Sequence, residues 1–440
     1  MDKFDVIIGL EIHAELNTAS KMFCRCDNDS IGKEPNVNTC PVCLGHPGTL
    51  PVANRSAIES TVLVGLALNC QVNQYSKFDR KNYFYPDLPK GYQISQFDLP
   101  LVYGGFLEVD GEKIEITRIH LEEDTGKLSH PAGRDYSLVD YNRAGTPLME
   151  MVTEPVIKNA QTAKKFCQNY QQILRYLGVA NADMEKGEMR CEANVSLQEK
   201  GKWLYEDGLI KPVGDYKLNP KVELKNINSF KAVEKAVEYE IARQLQAIEN
   251  GEKLYQETRG WNEAKQATVR QRIKETSADY RYFPDPDIPP VRLSDEMIAE
   301  IRTNLVELPQ AKQERFAIEY GLSATDAEIL VSDKPLADYT EQVISELHGW
   351  LEAKDLPNEG QKGRLAKLTS NWLISELFKH LKTDNLSIKD LHITANDFAK
   401  LIVLLFEGKI NSSAGQTILE KMYQSEAGID PEDLVRSMGL

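Results

Sequence analysis

The stretch Val6-Ile-Ile-Gly-Leu-Glu-Ile-His-Ala-Glu-Leu16 decides the fold of the N-terminal part of this chain. Its even-numbered positions are apolar throughout, whereas Glu11, His13 and Glu15 occupy odd-numbered ones. Strict alternation of this kind indicates a half-buried β-strand. The predicted strand therefore carries an imidazole and two carboxylates on the face that points away from the core.

A second alternating stretch and a hairpin extend the predicted sheet. Residues 190–197 alternate in the same way and carry polar side chains on one face. Residues 107–121 predict an antiparallel hairpin that turns at Asp110-Gly111, because Asp-Gly favours the tight turns that join such strands. The apolar parity shifts between residues 116 and 119, which predicts a β-bulge there.

The character of the chain changes towards its C-terminal part. Residues 1–290 combine strand patterns with two well-capped helices, whereas helix follows helix from about residue 294. The proline-broken segment 282–291 predicts a domain boundary, and residues 354–363 predict a polar linker. The fold class expected from these patterns is α+β, with an antiparallel sheet first and an all-α region after it.

Composition limits the possible functions. The 440 residues carry a formal charge of −15, which weakens a nucleic-acid interpretation without excluding a local basic surface. No stretch has the run of apolar residues that a membrane-spanning helix needs, and the N-terminus predicts a strand start and not a signal peptide. The seven cysteines are an odd number, which favours a reducing cytoplasmic location over a disulfide framework.

Four of the cysteines, Cys24, Cys26, Cys40 and Cys43, form two closely spaced pairs directly after the first strand. Such pairs present thiolates to one tetrahedral Zn²⁺, and a set of four leaves no position for substrate. The prediction is a structural zinc knuckle. Two buried thiol pairs without metal are the alternative.

Acidic side chains from three separate stretches form the second candidate site. They are those of the first strand, the run His120-Leu-Glu-Glu-Asp124, and Glu150. Carboxylates that meet repel one another unless a cation neutralises them, and Mg²⁺ bridging to nucleotide phosphates is a common reason for such a set. Solvated surface carboxylates are the alternative interpretation.

Two further runs, 77–87 and 279–285, interleave aromatic rings with Lys, Arg and Asp. Such rings suit a nucleotide base or the 3′-terminal adenosine of an RNA, although a hairpin edge with solvated charges has the same composition. The sequence contains neither a phosphate-binding P-loop motif nor a Gly/Ser-rich amidase signature.

Long blocks of this sequence resemble the B subunit of the aspartyl/glutamyl-tRNA amidotransferase. Besides the opening strand, the blocks that carry the resemblance are Asp79–Asp87, Gly91–Phe97, His120–Gly126, Asn142–Pro147, Glu223–Phe230, Asp279–Pro284 and Lys367–Trp372. The resemblance implies a complex with an amidase (the A subunit) and a small third chain (the C subunit). This complex acts on tRNA(Gln) mischarged with glutamate or tRNA(Asn) mischarged with aspartate. The resemblance also implies that the B subunit phosphorylates the side-chain carboxylate with ATP and Mg²⁺ before ammonia from the amidase displaces phosphate.

The resemblance further implies three domains and a set of site residues. The domains are a cradle domain over 1–290 with the zinc knuckle, a helical domain over 291–395, and the first part of a tRNA-binding tail domain over 396–440 that normally continues past Leu440. The implied Mg²⁺ ligands are His13, Glu123 and Glu150, with Glu11 and Glu122 as further catalytic groups; the choice between Glu122 and Glu123 depends on the predicted bulge. The implied cofactor-binding residues are Asp124, Arg190, Asn194, Lys225 and Asn226.

Two other functions remain open at this point. One is a non-catalytic zinc-bearing RNA scaffold, and the other is a stand-alone ligase that joins a carboxylate to free ammonia. The clustered carboxylates favour catalysis, because a scaffold has no need to concentrate negative charge.

Overall fold

The computed structural model describes residues 2–206, 208–273, 279–354, 359–384, 386–425 and 428–440. The chain forms two compact units, Met1–Val306 and Glu307–Leu440. Strands and helices alternate in the first unit, and the second is helical, so the α+β class predicted from the sequence agrees with this architecture.

All strands described here lie in the first unit. They are β1 (Phe4–Glu15), β2 (Gln71–Val72), β3 (Tyr75–Ser76), β4 (Asp79–Asn82), β5 (Tyr92–Ser95), β6 (Val102–Tyr103), β7 (Phe106–Val109), β8 (Glu112–Glu123), β9 (Lys127–Ser129), β10 (Leu138–Asp140), β11 (Pro147–Thr153), β12 (Met189–Glu199), β13 (Trp203–Glu206), β14 (Leu209–Pro212), β15 (Val222–Lys225), β16 (Glu257–Asn262), β17 (Ala267–Ile273), β18 (Phe283–Pro284) and β19 (Val291–Arg292).

The helices divide between the two units. The first unit holds α1 (Arg55–Ala67), α2 (Ala160–Tyr176), α3 (Phe230–Glu249) and α4 (Asp295–Arg302). The second holds α5 (Pro309–Glu319), α6 (Ala324–Leu330), α7 (Lys334–Ala353), α8 (Glu359–Asn371), a π-helical segment Trp372–Leu377, α9 (Phe378–Asp384), a 3₁₀ turn Ile388–Asp390, α10 (Ala395–Phe406), α11 (Ser412–Tyr423) and α12 (Pro431–Met438).

Strand β1 runs through the middle of the main sheet. Within the described residues ten strands form this sheet, in the order β17-β16-β15-β12-β1-β11-β8-β6-β2, with β7 also paired to β8. Its pairings are antiparallel except between β15 and β16. The apolar residues of β1 face the core, where α2 and α3 pack. The alternation in the sequence is therefore confirmed as a one-sided strand.

The local elements next to the site follow the predicted patterns. Asp110 and Gly111 have φ values of 51° and 81°, as the tight turn between β7 and β8 requires. The pairing of β8 with β11 shifts register at Thr117, so the predicted bulge is confirmed. Helix α2 begins after its cap Asn159, whose side chain accepts a hydrogen bond from a backbone N–H of the first turn.

The proline-broken segment belongs to the first unit. The sequence predicts a boundary after residue 290, whereas the first unit runs to Val306, because β18 pairs with β4, β19 pairs with β3, and α4 packs on α1. Of the predicted linker 354–363, residues 355–358 lie outside the described residues, and α8 already begins at Glu359. The separate tail domain over 396–440 remains a prediction.

Candidate active site

Four strands of the main sheet bring titratable side chains into one row. His13 on β1 lies opposite Glu150 on β11 and opposite Arg190 on β12, and Glu150 lies opposite His120 on β8. Residues directly opposite each other in antiparallel strands point to the same face. The polar face of β1 therefore meets side chains that are more than a hundred residues distant in the sequence.

His13 stands at the centre of this cluster. Its Nε2 lies 3.2 Å from Oε2 of Glu150, 3.7 Å from Oε1 of Glu122 and 3.8 Å from Oε1 of Glu11. The Nε2 of His120 lies 3.5 Å from the same oxygen of Glu150. Ligand atoms of Glu11, His13 and Glu150 lie within 4.8 Å of one another, as do those of His120, Glu122 and Glu150.

The electrostatics of the cluster follow from its burial and its excess of carboxylates. Burial and the charge of Glu150 raise the pKa of Glu11 to about 7. Burial opposes the charged form of His13, but the hydrogen bond and charge of Glu150, together with Glu122 and Glu11, raise the pKa of His13 to about 9. Burial lowers the pKa of His120. Of the two imidazoles, only that of His13 therefore holds a proton readily, and the carboxylates around it attract any further cation.

The donor set fits a divalent cation. Carboxylate oxygens are the ligands that Mg²⁺ prefers, and their mutual repulsion would be relieved by its charge. The Nδ1 atoms of His13 and His120 are buried and have no hydrogen-bond partner among the described residues, so each ring keeps one unsatisfied nitrogen. The residues that would hold the ion are Glu11, His13, Glu122 and Glu150.

The structure does not bring Glu123 to this cluster. Its carboxylate lies 2.6 Å from Nζ of Lys90 and accepts a hydrogen bond of 3.0 Å from the backbone N–H of Ile94. Neighbouring residues of a strand point to opposite faces, so only one of the two glutamates can face His13. Glu122 does so, and it also accepts a hydrogen bond from Ser95. The candidate metal ligand on β8 is therefore Glu122, and the prediction of Glu123 is corrected.

Asp124 and Arg190 form an ion pair next to Glu15, at one end of the site. Nη2 of Arg190 donates a hydrogen bond to Oδ2 of Asp124 at 2.8 Å. Nε of Arg143 lies 3.6 Å from the same oxygen. Burial opposes ionisation of Asp124, but these two guanidinium groups lower its pKa. Burial and the charge of Asp124 raise the pKa of Glu15 to about 8.

Of the other predicted cofactor-binding residues, Asn194 lies on β12 itself, whereas Lys225 and Asn226 lie at and just after the end of the neighbouring strand β15. Asn194 stands opposite Gly9 and Glu223. The ammonium of Lys225 lies 2.7 Å from a carboxylate oxygen of Glu192. Carboxylate oxygens of Glu192, Glu11 and Glu223 lie within 4.8 Å of one another. Asn226 follows β15 in a left-handed conformation, with φ of 60°.

The two aromatic runs of the sequence meet beside the cluster. Strand β18 pairs with β4, and Tyr282 of the second run also stacks on Phe97, a ring outside both runs, at 4.2 Å and 10° between planes. Tyr280 packs edge-on against Tyr83, and Lys81 lies over the ring of Tyr280. An aromatic surface therefore borders the carboxylates, as base binding requires.

Sequence reasoning missed Arg118, and it assigned Lys81 to the base-binding run 77–87 without placing it at the carboxylates. Arg118 shares the polar face of β8 with His120 and Glu122, but the bulge at Thr117 hides this alternation. Lys81 comes from β4, which belongs to a different sheet, and no sequence spacing relates the two.

The cysteine quartet forms a second, separate cluster. The sulfur atoms of Cys24, Cys26, Cys40 and Cys43 all lie within 4.8 Å of one another. A hydrogen bond from Cys24 and the charge of Lys21 lower the pKa of Cys43 to about 5. Four convergent sulfurs of which one ionises readily fit the tetrahedral shell of Zn²⁺.

Lys21 is an unusual neighbour of this quartet. Its side chain is 0% exposed, and its ammonium donates to the carbonyl oxygen of Asn38 at 2.8 Å. No carboxylate oxygen of the described residues lies within 4.0 Å of it. A buried ammonium requires a nearby negative charge, and metal-bound thiolates would supply one.

Two family models match this chain. The family description "GatB/GatE catalytic domain" matches residues 6–299, and "GatB domain" matches residues 358–440. No helix among the described residues combines the length and apolar character needed to cross a membrane.

Three relatives illustrate the similarity, each aligned with the whole of this chain. The proteins from Thermomicrobium roseum, Carboxydothermus hydrogenoformans and Dehalococcoides mccartyi (strain CBDB1) are 46%, 44% and 45% identical to it, and the alignments cover 86%, 86% and 87% of their own lengths. All three are named as the B subunit of aspartyl/glutamyl-tRNA(Asn/Gln) amidotransferase. The chain therefore belongs to the family of aspartyl/glutamyl-tRNA(Asn/Gln) amidotransferase B subunits.

Proposed function

We propose that this chain phosphorylates the side-chain carboxylate of glutamate carried by tRNA(Gln), of aspartate carried by tRNA(Asn), or of both, and then directs its amidation. The observation that carries the proposal is the cluster of Glu11, His13, Glu122 and Glu150 on one sheet face, in which the last two are buried. The enzyme class is a carbon–nitrogen ligase that uses ATP.

The chemistry explains why phosphorylation has to precede amidation. A carboxylate is a poor electrophile, because its negative charge repels a nucleophile and oxide is a poor leaving group. Attack of a carboxylate oxygen on the γ-phosphorus of ATP breaks the bond to the β,γ-bridging oxygen, and that electron pair leaves with ADP. Ammonia then attacks the acyl carbon of the acyl phosphate, loses a proton, and the carbon–oxygen bond breaks to release phosphate.

The role of the chain's own residues in this scheme is positioning and charge compensation. Bound Mg²⁺ would neutralise phosphate oxygens, and Glu11, His13, Glu122 and Glu150 would hold it. The aromatic surface around Phe97 and Tyr282 suits the 3′-terminal adenosine that carries the amino acid. Its position beside the carboxylates supports this assignment.

The ammonia has to come from elsewhere. Because the sequence has no amidase signature, we assign glutamine hydrolysis to a partner amidase, the A subunit, with the small C subunit as the third member of the complex. The names of the relatives, which describe one subunit of an amidotransferase acting on tRNA, support partners of this kind. The zinc knuckle would stabilise the first unit and take no part in the chemistry.

The test compares variants in the complete three-subunit complex. Glu150→Gln and Glu122→Gln remove one charge each from the cluster, and Glu112→Gln on the exposed start of β8 is the matched control. We expect ATP hydrolysis that depends on mischarged tRNA in the wild type and in the control, and its loss in the two cluster variants.

The alternatives give different results in the same assay. ATP hydrolysis with free amino acid and ammonium, independent of tRNA, would indicate a stand-alone ligase. An absence of ATP hydrolysis in the complete complex, with tRNA binding intact, would indicate a scaffold. Either result would contradict the proposal.

A further inference from the structure

Most cations around the carboxylate cluster are already bound to carboxylates. Arg190 donates to Asp124 at 2.8 Å, Lys225 lies 2.7 Å from Glu192, and the ammonium of Lys90 lies 2.6 Å from Glu123. Such side chains have little capacity left for an incoming anion, because each would have to give up its existing partner.

Arg118 is different. Among the described residues, its buried Nε has no hydrogen-bond partner, and the nearest carboxylate oxygen, on Glu150, is 3.8 Å from Nη2. That distance is too long for a hydrogen bond. The side chain is 36% exposed, so the guanidinium group reaches the open side of the sheet. A buried N–H without a partner is costly, and an anionic ligand would satisfy it.

The position of Arg118 in the sheet places it next to the candidate metal ligands. It stands opposite Val152, which in turn stands opposite Glu11, so Arg118 and Glu11 are about 10 Å apart across two strand spacings. Along its own strand Arg118 is followed on the same face by His120 and Glu122. A long arginine side chain at this point extends along the edge of the cluster.

Lys81 is the second cation that has no carboxylate partner among the described residues, and its ammonium lies 5.3 Å from the centre of the Tyr280 ring. The residue is half-buried, and no carboxylate oxygen of the described residues lies within 4.0 Å of its ammonium. Burial opposes its charge, but Glu122, Tyr282 and Glu150 raise its pKa, so the ammonium stays protonated at neutral pH. It comes from β4, so Arg118 and Lys81 reach the cluster from two different sheets.

We propose that Arg118 and Lys81 bind the oxygens of the phosphoryl group while it passes from ATP to the side-chain carboxylate. The assignment rests on the proposed function and adds two catalytic residues to it. In the transferring group, negative charge spreads over three equatorial oxygens while the acceptor is itself an anion. The planar guanidinium fork suits two such oxygens, and the ammonium supplies a point charge for the third.

The test separates binding of nucleotide from stabilisation of the transferring group. The variants are Arg118→Ala, Arg118→Lys and Lys81→Met, and the control is Lys113→Ala, an exposed cation on the same strand. Affinity is measured for Mg²⁺-ADP alone and for Mg²⁺-ADP with aluminium fluoride, which mimics the planar phosphoryl group. Single-turnover formation of the amide is measured in the complete three-subunit complex.

We expect Arg118→Ala to lower the single-turnover rate by roughly 10²–10³-fold, the range seen when one donor to developing charge is removed. It should also lose the tighter binding that aluminium fluoride confers, while its affinity for Mg²⁺-ADP changes little. Lys81→Met should act in the same direction, and Arg118→Lys should recover part of the rate because it keeps the charge. Lys113→Ala should behave as the wild type.

Two results would overturn the assignment, and they are distinguishable. If the wild type catalyses the reaction and Arg118→Ala and Lys81→Met retain both the rate and the tightening by aluminium fluoride, the two cations do not bind the phosphoryl group. If the wild-type complex does not hydrolyse ATP with mischarged tRNA, the proposed function fails and this assignment fails with it. Thermal melting of each variant ensures that a lost rate is not a lost fold.

Discussion

Removal of the zinc proposed for the cysteine quartet should lower the free energy of unfolding of the first unit, because the ion would close a loop of the chain. A zinc ion would connect Cys26 to Cys40 and close the intervening loop. Closing a loop of about fifteen residues is worth roughly 3 kcal/mol of chain entropy. Loss of the metal would also leave the buried ammonium of Lys21 with fewer thiolates around it, which adds to the destabilisation.

The assay is thermal unfolding with and without a zinc-selective chelator, with Mg²⁺ in excess, together with metal analysis. About 3 kcal/mol corresponds to a fall in Tm of roughly 5 °C for a unit of this size. We expect one zinc per chain and a fall of this magnitude in the wild type. Cys24→Ser should melt at the lower temperature with or without the chelator.

The matched control is Cys70→Ser, which changes a buried thiol outside the quartet. It should keep its zinc and its sensitivity to the chelator, whatever its own effect on Tm. Hydrogen exchange should locate the lost protection in residues 21–52 and spare α2. A wild-type protein without zinc, or with a Tm that the chelator leaves unchanged, would refute the reasoning.

Five further substitutions test the geometry of the first and second units. Glu122→Gln should weaken Mg²⁺ binding measured by calorimetry by more than Glu123→Gln does, and equal effects would contradict the placement of Glu122 at the cluster. Gly145→Ala should lower the free energy of unfolding by roughly 1–2 kcal/mol, because its φ of +89° disfavours any residue with a Cβ; unchanged stability in denaturant unfolding would exclude this strain. Gly65→Ala on α1 should destabilise by about 1–3 kcal/mol, since the new Cβ would lie 2.7 Å from a valine of β6. Gly349→Ala on α7, where no atom of the described residues lies within 4 Å of the new Cβ, should instead stabilise by up to about 1 kcal/mol, and the same sign of change in both variants would contradict the packing.

The central strand shows how far the sequence alone can predict this structure. The alternation over residues 6–16 determines both the strand and the face on which Glu11 and His13 lie, because a half-buried strand has only one apolar side. The hairpin at Asp110 was equally predictable, since its turn requires residues that tolerate a positive φ.

Other features depend on contacts that no local pattern records. The single-residue bulge at Thr117 shifts the parity of β8, so the alternation cannot say which of Glu122 and Glu123 faces His13. Prolines over 282–291 are typical of linkers, yet short pairings with β3 and β4, about two hundred residues earlier in the chain, keep this segment in the first unit. The partner strands of both features lie far away in the sequence.

The measurement that tests the central claim most directly follows the carboxylate oxygen. Mischarged tRNA is prepared with a heavy oxygen isotope in both side-chain carboxylate oxygens, and the phosphate released during amidation is analysed by mass spectrometry. If the carboxylate attacks ATP, each released phosphate carries one labelled oxygen, because the acyl carbon–oxygen bond breaks when ammonia enters. Phosphate without label, formed at the same rate as the amide, would contradict phosphorylation of the side chain at the cluster around His13.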